Sequence, residues 1–181
     1  MEKEVFKFHV QELSYGWCRV VMLINDKEIH YNASYLGQNP LASFIDACED
    51  LYNEEGTYYV VWQAEPGMLD ITLDLDDDNQ LHLDIIDKDG DNESVNGEWH
   101  EIIPFAAFVS AIVSEGFRVL NAFGLYGYKC SWSDYTEFPL SNLLHITGRI
   151  QIKTIGDSYI SDIVKEMECL QENLSKLEIT Q

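Results

Sequence analysis

The sequence predicts an α+β protein: antiparallel sheet from two three-stranded meanders in the order βββαβββα, packed on helices, with a further helix at the C-terminus. Three observations carry this reading. Apolar and polar residues alternate in short runs that come in groups of three. Each group is followed by a segment with helical spacing, and the connections hold the residues that turns require.

Residues 5–10 alternate, with Phe6, Phe8 and Val10 on one side and Lys7 and His9 on the other. WCRVVMLI (17–24) is almost continuously apolar, which fits a strand covered on both sides or central in a sheet. Asn25-Asp26 makes a turn, and EIHYNASY (28–35) puts Ile29, Tyr31, Ala33 and Tyr35 on one face. Asn39 then supplies a helix cap and Pro40 the first helical position. Leu41, Phe44, Ile45, Cys48, Leu51 and Tyr52 form the stripe of this helix, and Gly56 ends it.

The second meander is TYYVVWQ (57–63), LDITLDL (69–75) and LHLDII (81–86), turned by Glu65-Pro66-Gly67 and Asp77-Asp78-Asn79. An acidic connection follows, and Pro104 opens a helix whose apolar face is Phe105, Phe108, Val109, Ile112, Leu120 and Phe123, bent at Gly116. Residues 123–138 lack periodicity and read as a packed loop. Residues 1–150 are therefore expected to form one domain and 151–181 an appended amphipathic helix. Along that helix Ile160, Ile163, Met167, Leu170, Leu174 and Leu177 follow a 3-4-3-4-3 spacing, suited to docking on the body or to pairing with a second copy.

Charge sets the expected partners. Of 181 residues, 32 are Asp or Glu and 11 are Lys or Arg, a net charge of −21. Such a field repels nucleic-acid phosphates and anionic lipid and attracts basic proteins. Cys18, Cys48, Cys130 and Cys169 are scattered without a CxxC pair, as in a reducing compartment. No signal-peptide pattern and no apolar run of the length a membrane span needs is visible, so a soluble cytoplasmic protein is expected.

Two acidic stretches are candidate sites. DKDGDNESVNGE (87–98) places Asp87, Asp89, Asp91 and Glu98 at the ligand spacing of a calcium loop. Its sixth position is Asn92, its eighth is Ser94, and a strand leads into it instead of a helix, so a solvated strand-to-helix connection is the expected reading. In the hairpin 69–86, a turn centred on Asp78 sets Leu75 against Leu81, Leu73 against Leu83 and Ile71 against Ile85. The other face then brings Asp74 opposite His82 and Thr72 opposite Asp84, with Asp70 and Asp76 nearby. This acidic face suits a basic partner, with Trp99, Tyr126 and Trp132 as aromatic anchors. The alternative is a small metal-binding protein or enzyme built on Asp74, His82 and Asp84. No nucleophile elbow, phosphate loop or HExxH motif is present, and no catalytic residue or cofactor is assigned.

SYLGQNPLASFIDACEDLY (34–52) followed by VVWQAEPGMLDITL (60–73) resembles a group of small, acidic, uncharacterised bacterial proteins with a meander, a helix and a strand ending in a W-x-x-E-P-G turn. The resemblance spans roughly residues 17–147 and brings no catalytic residues with it. Size and charge are also similar to those of immunity partners of bacterial toxins. It implies a non-enzymatic inhibitor of a basic toxin or enzyme.

Overall fold

β1 (Phe6–Ser14), β2 (Trp17–Ile24) and β3 (Lys27–Ser34) form a three-stranded antiparallel sheet with β2 in the middle. The computed structural model describes residues 5–53, 56–90, 94–133, 136–150, 152–155 and 158–178. Phe6, Phe8, Val10, Cys18, Val20, Met22, Ile24 and Ile29 point inward and are buried. The other side of β2 is half-covered, which is why its sequence shows so little alternation. A bulge interrupts the β1–β2 ladder between Val10 and Glu12. The β1–β2 turn holds both Tyr15 and Gly16 at positive φ, 52° and 78°, the geometry of a tight hairpin.

α1 (Pro40–Asn53) begins as predicted, with Asn39 Oδ1 accepting the Ala42 N–H at 3.0 Å. Leu41, Phe44, Ile45, Cys48 and Leu51 are buried, whereas Tyr52 is exposed.

The α+β architecture of antiparallel meanders with a C-terminal helix is the expected one, and the second meander has one strand more than the sequence reading. It has four antiparallel strands, β4 (Thr57–Gln63), β5 (Met68–Leu75), β6 (Gln80–Lys88) and β7 (Val95–Pro104), in sequential order. The order is thus βββα followed by ββββα, with the two meanders in separate sheets. The described parts of the stretch 87–98 are the end of β6, a short link on either side of residues 91–93, and the start of β7, so it joins two strands and is not a strand-to-helix connection. The β5–β6 register is the predicted one: Leu75 pairs with Leu81, Leu73 with Leu83, Ile71 with Ile85, Asp74 with His82 and Thr72 with Asp84. Asp76 sets that turn, because its Oδ1 accepts the N–H groups of Asp78 and Gln80.

α2 (Phe105–Trp132) runs further than expected and takes in much of the stretch read as a loop, burying Tyr128 and Trp132. Its break is at Gly124 (φ 63°, ψ 177°) rather than Gly116. Gly116 is helical and serves a close approach: a Cβ there would lie 2.7 Å from Leu143 Cδ1 of α3 (Leu140–His145). Among the described helices, α2 is long and apolar enough to cross a membrane by length and composition. Here Phe108, Ile112, Phe117, Val119 and Leu120 are buried in the core.

The C-terminal region is more than a helix. A short hairpin, β8 (Lys153–Ile155) and β9 (Ser158–Ile160), precedes α4 (Ile163–Glu178). The later part of α4 docks, with Cys169 buried and Leu170, Leu174 and Leu177 packed on the core. Its first turns do not.

The core lies where both sheets meet α1 and α2. Phe44 is central, its ring 4.8 Å from Trp62 and 5.2 Å from both Phe8 and Phe108. Trp62 Nε1 donates to Ser43 Oγ at 2.9 Å, so its one polar group is satisfied. The residues of the W-x-x-E-P-G stretch thus become a core tryptophan and a turn. A polar clamp joins the sheets at one end: Glu101 of β7 accepts from Asn25 Nδ2 and pairs with Lys27 Nζ, both at 2.5 Å. Lys27 first, then Asn25, holds the Glu101 carboxyl below the usual range.

Candidate functional site

Strand alternation gives the β4–β7 sheet two unlike sides. Inward positions are Val60, Trp62, Leu69, Ile71, Leu73, Leu81, Leu83, Ile85 and Ile103, all buried. On the outer side the register aligns Thr57, Asp74, His82 and Ile102 in one cross-strand row. Tyr59, Thr72, Asp84 and His100 form the next, followed by Val61, Asp70, Ile86 and Glu98. Asp70, Asp74, Asp84, Glu98 and the turn residue Asp76 thus meet one ammonium, Lys88. Apolar groups sit among them: Tyr59 is 69% exposed, Ile102 54% and Val61 36%.

The carboxylates are held by neighbours. Asp74 Oδ1 accepts from Thr57 Oγ1 at 2.6 Å, and Asp70 is ion-paired with Lys88. His82 stands opposite Asp74, yet its Nε2 lies 2.9 Å from Asp76 Oδ2 in the turn. That contact, ahead of the Gln80 N–H, holds Asp76 below the ordinary carboxylate range. His100 has Nδ1 at 2.6 Å from Asp84 Oδ1 and Nε2 at 3.1 Å from Glu98 Oε1. Both nitrogens can donate at once only in the imidazolium. Accordingly the Asp84 hydrogen bond, outweighing the opposing effect of desolvation, raises the His100 pKa.

Residues 87–98 do not gather around a point. Glu98 pairs with Ile86 on the outer side, whereas Asp87, one residue along β6, faces the opposite side with Leu69 and Gly97. The first and twelfth positions of the calcium-loop spacing therefore lie on opposite sides of the ribbon. Asp87 is raised, first by burial. Asp89 Oδ1 accepts the Gly90 N–H, and Asp91 lies outside the described residues. Among the described residues, no group of three or more His, Cys, Asp or Glu side chains is arranged to hold a metal ion.

The aromatic anchors read from sequence are not on this face. Trp132 is 3% exposed and belongs to the core. Trp99 is half-buried on the inner side, folded over Gly97. Tyr126 is exposed, but on α2. The apolar groups that do share the face are Tyr59, Val61, Ile86 and Ile102. The signal for Tyr59 and Val61 was their odd-numbered placement in TYYVVWQ, out of phase with buried Val60 and Trp62.

The β4 edge is closed at its middle. Val61 N–H donates to Gln38 Oε1 at 2.7 Å and Gln38 N–H to the Val61 carbonyl at 3.3 Å, so a glutamine stands where another strand would pair. A groove of about 960 Å³ lies between α1, the β5–β6 turn, α2 and α4. Among the described residues its lining has no His, Cys, Asp or Glu side chain. Comparison with family models, with curated proteins and with solved structures returned no match.

Proposed function

We propose that this chain is a non-enzymatic protein-binding protein whose outer β4–β7 face receives a basic protein, in the manner of an immunity-type inhibitor of a basic toxin or enzyme. One observation carries the reading. No described element covers that side of the sheet, and its five carboxylates against one ammonium are interleaved with exposed Tyr59, Val61 and Ile102. Apolar groups provide area to bury and the charge speeds and orients encounter. Gln38 occupies the middle of the β4 edge, so that edge is closed to addition of a strand.

The test compares wild-type protein with Asp70→Asn/Asp74→Asn/Asp84→Asn and with Tyr59→Ala/Ile102→Ser in affinity capture at low salt. The expected outcome is a basic protein held by wild type, released as salt rises, and lost from both variants. Capture that is equal for all three proteins, or indifferent to salt, would overturn the proposal.

A further inference from the structure

The start of α4 and the β8–β9 hairpin leave apolar side chains in water. Tyr159 is 81% exposed, Ile163 and Met167 64% each, and Val164 58%. Ile160, 46% exposed, lies between Tyr159 and Ile163, and a shallow groove of about 400 Å³ runs along α4 from Met167 towards the docked Leu170 and Leu174. The hairpin has no cover either: the six described side chains between 152 and 160 are all exposed. A two-stranded hairpin is marginal in water without packing on one face. Contiguous exposed apolar surface of this extent marks an interface.

Charge identifies the occupant. Residues 149–181 hold four basic side chains (Arg149, Lys153, Lys165, Lys176) and six acidic ones, a net charge of −2, so residues 1–148 hold the other −19. A basic partner is drawn to the strongly acidic region and gains little here. Residues 46–101 alone hold 18 acidic side chains against one basic, −17 of the total, so two copies that meet through the nearly balanced 149–181 segment do not pair their most acidic stretches. Ile160, Ile163, Val164 and Met167 are each 46–64% exposed, so a partner can bury four large apolar side chains per copy here, of the roughly 20–30 residues a side that a standard interface engages.

We propose that the chain pairs with a second copy through the stripe of Ile160, Ile163, Val164 and Met167, the β8–β9 hairpin flanking the contact. The mechanism fixes the sign of the salt dependence. Salt screens repulsion between two strongly acidic bodies and leaves the apolar contact intact, so dimerisation strengthens as salt rises. Binding of a basic protein to the β4–β7 face has the opposite sign, which keeps the two proposals separable.

The experiment is sedimentation equilibrium of the full chain at low and high salt, beside Ile163→Asp/Met167→Asp. Both side chains are largely exposed, so the variant folds, and circular dichroism verifies it. The wild type is expected to reach twice its 20.8 kDa mass, more completely at high salt. The variant should weaken Kd by about a hundredfold or more, since each copy loses two apolar contacts and gains buried charge. A wild type that stays at 20.8 kDa under all conditions, or a dimer untouched by the double substitution, overturns the proposal.

Discussion

Glu115 is the charged residue that the fold buries among the described residues, at 5% exposure, and removing it tests how the β1 edge is held. Its Oε1 accepts the Val10 N–H at 2.6 Å and Arg118 Nη2 at 2.6 Å, while Oε2 accepts Arg118 Nε at 2.7 Å. Arg118 Nη2 also donates to the Val10 carbonyl at 2.7 Å. Two side chains of α2 thereby pair both backbone groups of a residue beside the β1 bulge. Glu115→Ala orphans the Val10 N–H, at ~1–3 kcal/mol, and takes the carboxylate from the guanidinium. Breaking a buried pair costs ~3–5 kcal/mol, and the 38% exposure of the Arg118 side chain lets water recover part of that. The expected loss is about 3 kcal/mol, by the same principle for an incompletely buried pair. Arg118→Ala should cost a similar amount, and the double variant less than the sum by ~2 kcal/mol, because the second change removes a group already left unpaired. Urea unfolding followed by tryptophan fluorescence reads this directly: with m near ~2 kcal/mol/M, the Glu115→Ala midpoint falls by about 1.5 M. A loss below about 1 kcal/mol, or additive single effects, would show that the brace does not hold the edge.

Two further outcomes are expected. In a proton NMR titration His100 should have its midpoint above that of an ordinary histidine, and Asp84→Asn should lower it; because the folded pKa is raised, the stabilisation is present below the unfolded pKa and is lost as pH rises through the folded value. Gly116→Val should cost ~1–3 kcal/mol through overpacking against Leu143, with a smaller cost in a Leu143→Ala background, as measured by thermal or urea unfolding.

Where one side of an element is uniformly apolar, the sequence was enough to place it. The stripe of α1 with its Asn39-Pro40 start, and the β5–β6 register set by the Asp77-Asp78-Asn79 turn, are of this kind. β7 escaped because its inward positions are Gly97, Trp99, Glu101 and Ile103. A glutamate can point inward there only because Asn25 and Lys27, some 75 residues earlier, meet it, and no local pattern records such a partner. The extent of α2 was hidden by Gly124, which breaks the helical geometry without ending the element. For the candidate site, register gave the cross-strand neighbours correctly but not the hydrogen bonds. His82 prefers Asp76, a turn residue whose other oxygen is fixed by two backbone N–H groups, to Asp74 across the ladder.

The arrangement of the acidic face bears on what its substitutions will reveal. Asp70, Asp74, Asp76, Asp84 and Glu98 each touch a specific neighbour, and exposed pairs of this kind contribute little to folding. Holding the carboxylates in place nevertheless lowers the ordering cost when a cation arrives, so the same contacts count for more in binding than in stability. The alternate residues of the same strands, Leu69, Ile71, Leu73, Leu81, Leu83 and Ile85, are fully buried and see none of this charge. Replacing outer carboxylates by their amides therefore leaves the core intact and relieves self-repulsion in a chain of net charge −21. A variant that loses the proposed basic partner while unfolding at the same or a higher urea concentration would separate recognition from folding. One that loses both would mean that the outer network also holds the sheet together.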